Sequence, residues 1–155
     1  MEEKQTGYRW IKGILEFIDT QEDHGRKANW LFQTKNPGAI NENVLPKDSV
    51  VCTTIETNRW YPDIMNNAPS PYQREMGMQS INLKKYVTIE PIMNFDLNQM
   101  VEMIRSIGPE QVNIGADSGN NKLIEPSREK IMSLIGELNL FTNIKIKKNL
   151  NRIIK

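Results

Sequence analysis

Cysteine and histidine each occur once in this chain, as Cys52 and His24. A single thiol excludes a disulfide framework within the chain and any multi-cysteine metal site, and it suits a reducing compartment. A single imidazole leaves no second histidine around which a nucleophilic pair could be arranged, and its place beside Gly25 marks it as a helix-end cation rather than a metal ligand. Long apolar runs are also missing. Nowhere do about 18 apolar residues follow one another, and the opening MEEKQTGYRW has neither the basic start nor the apolar core of a signal peptide. The expected location is therefore the cytoplasm, with no membrane partner. Nor does one sign of charge prevail: twenty basic against nineteen acidic residues leave +1, so no whole-chain field points to nucleic acid or to an anionic membrane.

What is present is an ordinary soluble composition, 38% apolar and 25% charged over 155 residues, enough for one domain with a real core. Tyr8, Ile11, Leu15 and Ile18 share one helical face, and the pattern stops at His24-Gly25, where glycine can take a left-handed cap. Residues 30–32, 50–55, 86–89, 112–116 and 144–147 read as strands. Ser70-Pro71-Tyr72-Gln73 opens a helix with an N-cap serine, a proline in the first turn and a capping-box glutamine. Asp96 with Gln99 is expected to cap the next, whose Leu97, Met100, Val101, Ile104 and Ile107 form an apolar stripe up to Gly108. Ser127 starts another, with Ile131, Leu134, Ile135 and Leu138 on one side. Residues 58–69, carrying Trp60 and Tyr61, form a loop long enough to be functional or mobile. Strands alternating with helices place the chain in the α/β class, as a parallel sheet with right-handed crossovers.

Strand side chains alternate between faces, so the phase of each strand can be assigned. Phe32, Val51, Thr53, Ile55, Val87, Ile89, Val112, Ile114, Ala116, Ile144 and Ile146 fall in the phase that helices would cover. The opposite phase holds Gln33, Lys35, Thr54, Glu56, Thr88, Glu90, Asn113, Asp117, Lys145 and Lys147. A doubly wound sheet is covered on both faces, and its central strands are apolar in both phases. These strands are not. A barrel encloses one phase, and β/α barrels build their sites on the C-terminal rim of that phase. The expected architecture is thus a partial, open β/α barrel of about five parallel strands with outer helices. The tripeptide Thr-Ile-Glu recurs at 54–56 and 88–90 because two strands deliver an acid to one shared mouth. The plainer account is structural pairing, of Glu56 with Lys35 and of Glu90 with Lys145.

FQTKNPG at 32–38, TTIETNR at 53–59, APSPYQR at 68–74, TIEPIMNFD at 88–96, NIGADSG at 113–119, EPS at 125–127 and KKNLNR at 147–152 together resemble the C-terminal part of a phage and bacterial family of radical-SAM-like barrels. The resemblance spans nearly the whole chain. It implies a rim near the adenosyl and substrate positions formed by Glu56, Asn58, Arg59, Glu90 and the turn Gly115 to Ser118, with Gly115 and Ala116 against the adenine. It also implies S-adenosylmethionine as cofactor, held weakly by this chain alone. The family's iron-sulfur cluster is bound by three cysteines, and one thiolate cannot hold it. A four-iron, four-sulfur cluster is therefore expected only if a missing N-terminal segment or a partner chain supplies it. On this reading residues 1–155 are one truncated barrel domain, not catalytic alone, whose open edge a partner or N-terminal half covers.

Two alternatives stand beside it: a non-catalytic phage interaction module, and a hydrolase using Glu56 and Glu90 as paired carboxylates. Lys145, Lys147, Lys148, Arg152 and Lys155 concentrate positive charge near the C-terminus, and Arg59 and Arg74 flank the aromatic loop. Such a patch can hold phosphates, which makes nucleic acid a candidate partner, although a solvated helix face is the plainer account. Cys52 is expected to be a small buried core residue, and the methionines, Met76, Met100 and Met103 among them, core filler.

Overall fold

The computed structural model describes residues 2–25, 28–119 and 121–155, with side chains from residue 12 onward except at residue 22. Five strands, β1 (Leu31–Thr34), β2 (Val50–Thr54), β3 (Lys84–Ile89), β4 (Gln111–Ile114) and β5 (Asn143–Ile146), form one sheet in the order β1-β2-β3-β4-β5. Every pairing is parallel. The sheet does not close on itself, and its free edges are β1 and β5, as an open partial β/α barrel requires.

The strand order fixes where the helices go. A parallel crossover is right-handed, so a sheet whose order never reverses sends each connecting helix to the same face. Helices α3 (Pro71–Gln79), α4 (Leu97–Ile107) and α5 (Arg128–Leu138) accordingly pack on one another in sequence, α3 on α4 and α4 on α5. Against them lies the apolar phase of the strands: Val51, Ile55, Val87, Ile89, Val112, Ile114 and Ala116 are all fully buried with Met78, Met100, Ile104, Ile107, Ile131 and Leu134. Ile146, in the same phase, is 47% exposed because β5 is an edge strand. Of the methionines expected in the core, Met100 and Met103 are buried, but Met76 is 53% exposed on the outer side of α3.

Local signals account for most helix ends. Ser70 Oγ accepts from Gln73 N while Gln73 Oε1 accepts from Ser70 N, the reciprocal cap expected at α3. Ser127 caps α5 by accepting from Lys130 N, and Gly108 ends α4 at φ +66°, a left-handed geometry that glycine takes without steric cost. Helix α1 (Glu2–Asp23) ends before Gly25, also left-handed at φ +69°, and the His24 ring lies against the Thr20 carbonyl at 2.6 Å. Ile18 is buried and Leu15 half-buried; Tyr8 and Ile11, placed on the same face from sequence, lie outside the described side chains. The 58–69 loop is not wholly irregular, because Tyr61 and Pro62 start a single helical turn, α2 (Pro62–Met65). A last short helix, α6 (Asn151–Ile154), follows β5. Among the described residues no helix is long and apolar enough to cross a membrane.

Candidate ligand-binding rim

The face of the sheet away from the helices is polar, and register lines its side chains into rows. Gln33, Cys52, Tyr86, Gln111 and Asn143 are successive partners across the five strands. One step toward the C-terminal ends, Thr54, Thr88, Asn113 and Lys145 form the next row. Beyond the strands come Lys35, Glu56, Glu90, Gly115 and Lys147, one from each strand in spatial order. Because all strands run the same way, these five positions share one end of the sheet.

Burial on this face is deepest on β2 and β3. Cys52, Thr54 and Thr88 are nearly fully buried, at 1%, 5% and 6% exposure, whereas Gln33, Lys145 and Lys147 on the edge strands are exposed. Cys52 Sγ lies 3.5 Å from Thr88 Oγ1, and burial pushes the thiol pKa up despite that contact and the charge of Lys147. The Thr54 hydroxyl and the Asn113 amide nitrogen form no hydrogen bond among the described residues; Asn113 spends only its oxygen, on Gln111 Nε2 at 2.8 Å.

Glu56 is 4% exposed and gripped from two sides. Lys35 Nζ bonds Oε1 and Arg74 Nη1 bonds Oε2, the latter at 2.7 Å. Arg74 comes from the first turn of α3 and is itself fully buried. Its Nε donates to Pro69 O at 2.7 Å, its Nη1 also to Thr54 O at 2.9 Å, and its Nη2 is buried without a partner among the described residues. The guanidinium therefore ties the N-terminus of α3 to the end of β2. In the sequence Arg74 stands only at the flank of a loop, and a lone arginine in a first turn gives no signal of burial.

Glu90 is held by Lys147, not by Lys145, because Lys147, just past β5, stands at the same level beyond the strand ends. Asn149 Nδ2 also donates to Glu90 Oε1 at 2.6 Å and to Ala116 O at 2.9 Å, leaving its own Oδ1 buried and, among the described residues, unpartnered. Asn149 was missed from sequence; its only trace is its place two residues past Lys147. The Glu90 carboxylate lies against Gly115, where a Cβ would sit 2.6 Å from Oε1 and 3.0 Å from Asn149 Oδ1. The backbone at Gly115, where the resemblance puts adenine, is thus covered by the chain's own side chains.

The remaining sequence candidates are turned to structural tasks. Arg59 makes a forked pair with Asp96, Nε to Oδ2 at 2.8 Å and Nη2 to Oδ1 at 2.6 Å, which draws the Asp96 pKa down to about 2. Asp96 consequently makes no side-chain cap on α4, contrary to expectation, and Gln99 instead accepts from Asn58 Nδ2. Asn58 Oδ1 accepts from Asp96 N, so Asn58 and Arg59 pin the loop after β2 to the start of α4. Asp117 folds back on its own turn. Burial pushes its carboxyl up, but donation from the Asn121 amide and from the Gly119 and Asn121 backbone outweighs it and lowers the pKa. Ser118 is exposed beside it. Arg152 pairs with Glu125 and reaches Asp117 O at 3.0 Å, which takes one cation out of the basic tail.

Among the described residues no three His, Cys, Asp or Glu side chains converge as metal ligands. A shallow depression of about 580 Å³ lined by Glu110, Asn139, Leu140, Phe141, Thr142 and Asn143 lies at the opposite end of the sheet, where β4 and β5 begin. Comparison with protein-family models, with curated proteins and with solved structures gives no match.

Proposed function

We propose that the chain forms the C-terminal part of a β/α-barrel ligand site and presents the polar face of its sheet to a small molecule of the S-adenosylmethionine class. The observation that carries this reading is the unreversed strand order, which puts α3, α4 and α5 on one face and leaves the other to Cys52, Thr54, Thr88 and Asn113. Donors left idle on that floor, the Thr54 hydroxyl and the Asn113 amide, suit a polar ligand. An iron-sulfur cluster does not fit this chain's own side chains, since it has one cysteine and no converging ligand set among the described residues. Its contribution is binding, and cluster chemistry belongs to another segment or chain. Glu56 and Glu90 are each already bonded to a cation of the chain, which favours binding over paired-carboxylate hydrolysis.

Titration with S-adenosylmethionine, followed by amide chemical shifts, tests the reading. Binding on the order of millimolar is expected, with shifts gathered at Thr54, Thr88 and Asn113 and weakened by Glu90→Gln. A folded chain that shows no shifts at high ligand, or shifts indifferent to Glu90→Gln, overturns it. The free edges of β1 and β5 favour a second reading, an interaction module whose edges pair with another chain.

A further inference from the structure

We propose that the Lys35-Glu56-Arg74 cluster at the end of β2 is an oxyanion subsite, receiving a phosphate or carboxylate group of the ligand. The inference rests on the proposed ligand-binding role of this face and adds the ligand's charge. Two cations meet one carboxylate here, and neither Lys35 nor Arg74 bonds any other acid among the described residues. The cluster therefore carries an uncompensated positive charge at the strand ends. Lys35 uses one of its three N–H donors on Glu56 and is 49% exposed, which leaves two donors for a further acceptor. Arg74 is wholly buried, yet its Nη2 has no acceptor among the described residues. A buried charged donor left idle is costly, and an acceptor from outside the chain removes that cost. Glu56 holds the two cations apart, one on each oxygen.

The same arrangement is absent at Glu90, where one lysine meets one carboxylate and the second partner is a neutral amide. The subsite is thus confined to the β1–β2 side of the rim.

Sodium phosphate and sodium acetate, each at low millimolar concentration and matched in ionic strength with sodium chloride, are the probes. Amide shifts of Glu56 and Thr57 and the Arg74 Nε–H signal are the readout. A saturable response to either anion but not to chloride is expected, the larger one identifying the ligand group. Lys35→Gln should weaken it by about tenfold, Lys35→Arg should restore it, and Lys84→Gln, at the far end of β3, should leave it unchanged. Equal behaviour in all three salts, or a response that survives Lys35→Gln, overturns the proposal and leaves Arg74 Nη2 to an internal water. Phosphate or acetate shifts at Glu56 without any S-adenosylmethionine shifts at Thr54, Thr88 and Asn113 would sustain the subsite and remove that ligand class. The converse would remove the subsite alone.

Discussion

Replacing Glu56 by Gln keeps the shape of the side chain and deletes its charge, leaving the Arg74 guanidinium buried without a counterion. Arg74 is fully buried and the Glu56 side chain is 5% exposed, so water screens the pair little. Breaking such a pair by removing one member costs about 3–5 kcal/mol, mostly the penalty of the stranded charge. Here Arg74 keeps the carbonyls of Pro69 and Thr54, and the new amide oxygen can still accept, which puts the expected loss near the lower end, about 3 kcal/mol. For a domain of this size that lowers Tm by about 6–12 °C. Urea unfolding followed by circular dichroism measures it as a lower midpoint at unchanged slope. Lys35→Gln removes the outer, half-exposed partner of the same carboxylate and is expected to cost about 0–1 kcal/mol. If the two variants are equally stable, burial of Arg74 does not govern this site and the argument is refuted. The double variant Glu56→Leu with Arg74→Met should recover much of the loss, since it leaves no buried charge behind.

Gly77→Ala adds a helix-favouring methyl but drives it to 2.5 Å from the Gly38 nitrogen, and backbone contact outweighs propensity, for a net loss of about 1–3 kcal/mol by urea unfolding. Gly136→Ala, in α5 with nothing within 4 Å of the new methyl, should gain about 0.5–1 kcal/mol, and a loss there would contradict the geometry. Asp96, held by Arg59, should titrate at about 2 in a carboxyl-detected NMR titration and move toward its ordinary 3.8 in Arg59→Gln. Because its folded value is depressed, the pair contributes stability above the ordinary value and loses it as pH falls through about 2. Cys52 should resist a thiol reagent at pH 8 until the protein unfolds, being buried with a raised pKa; rapid labelling of the native chain would show an exposed thiol.

The strands and the helix starts were legible because period and caps are local. Residues 50–55 and 86–89 mark β2 and β3 to within two residues, and Ser70 with Gln73 and Ser127 announce α3 and α5. The alternation of strand side chains is legible too at the centre of the sheet, where the two faces differ in chemistry. What sequence did not disclose are choices between rival partners. Asp96 satisfies every rule for a cap, but a guanidinium from a loop far away in sequence offers its carboxylate two bonds from a full cation where the cap offers one from a neutral backbone N–H. Lys147 wins Glu90 over Lys145 because it stands one level further on, just past β5, a distinction that needs the register. Arg74 was invisible for the same reason: only the tertiary fold tells a buried arginine from an exposed one.

Strand order has a consequence for how the chain acquires its shape. Each strand pairs only with those next to it in sequence, so β2 can dock on β1, and β3 on β2, before anything later is made. In a sheet whose first strand lies at the centre, one side of that strand must wait for the last residues. Here the nucleus can grow in one direction as the polypeptide leaves the ribosome, with loop closures no longer than one strand-helix unit. The Arg74-Glu56 bridge joins β2 to α3, which precedes β3 in the chain, so its charges are matched as soon as that unit forms and need not await β3.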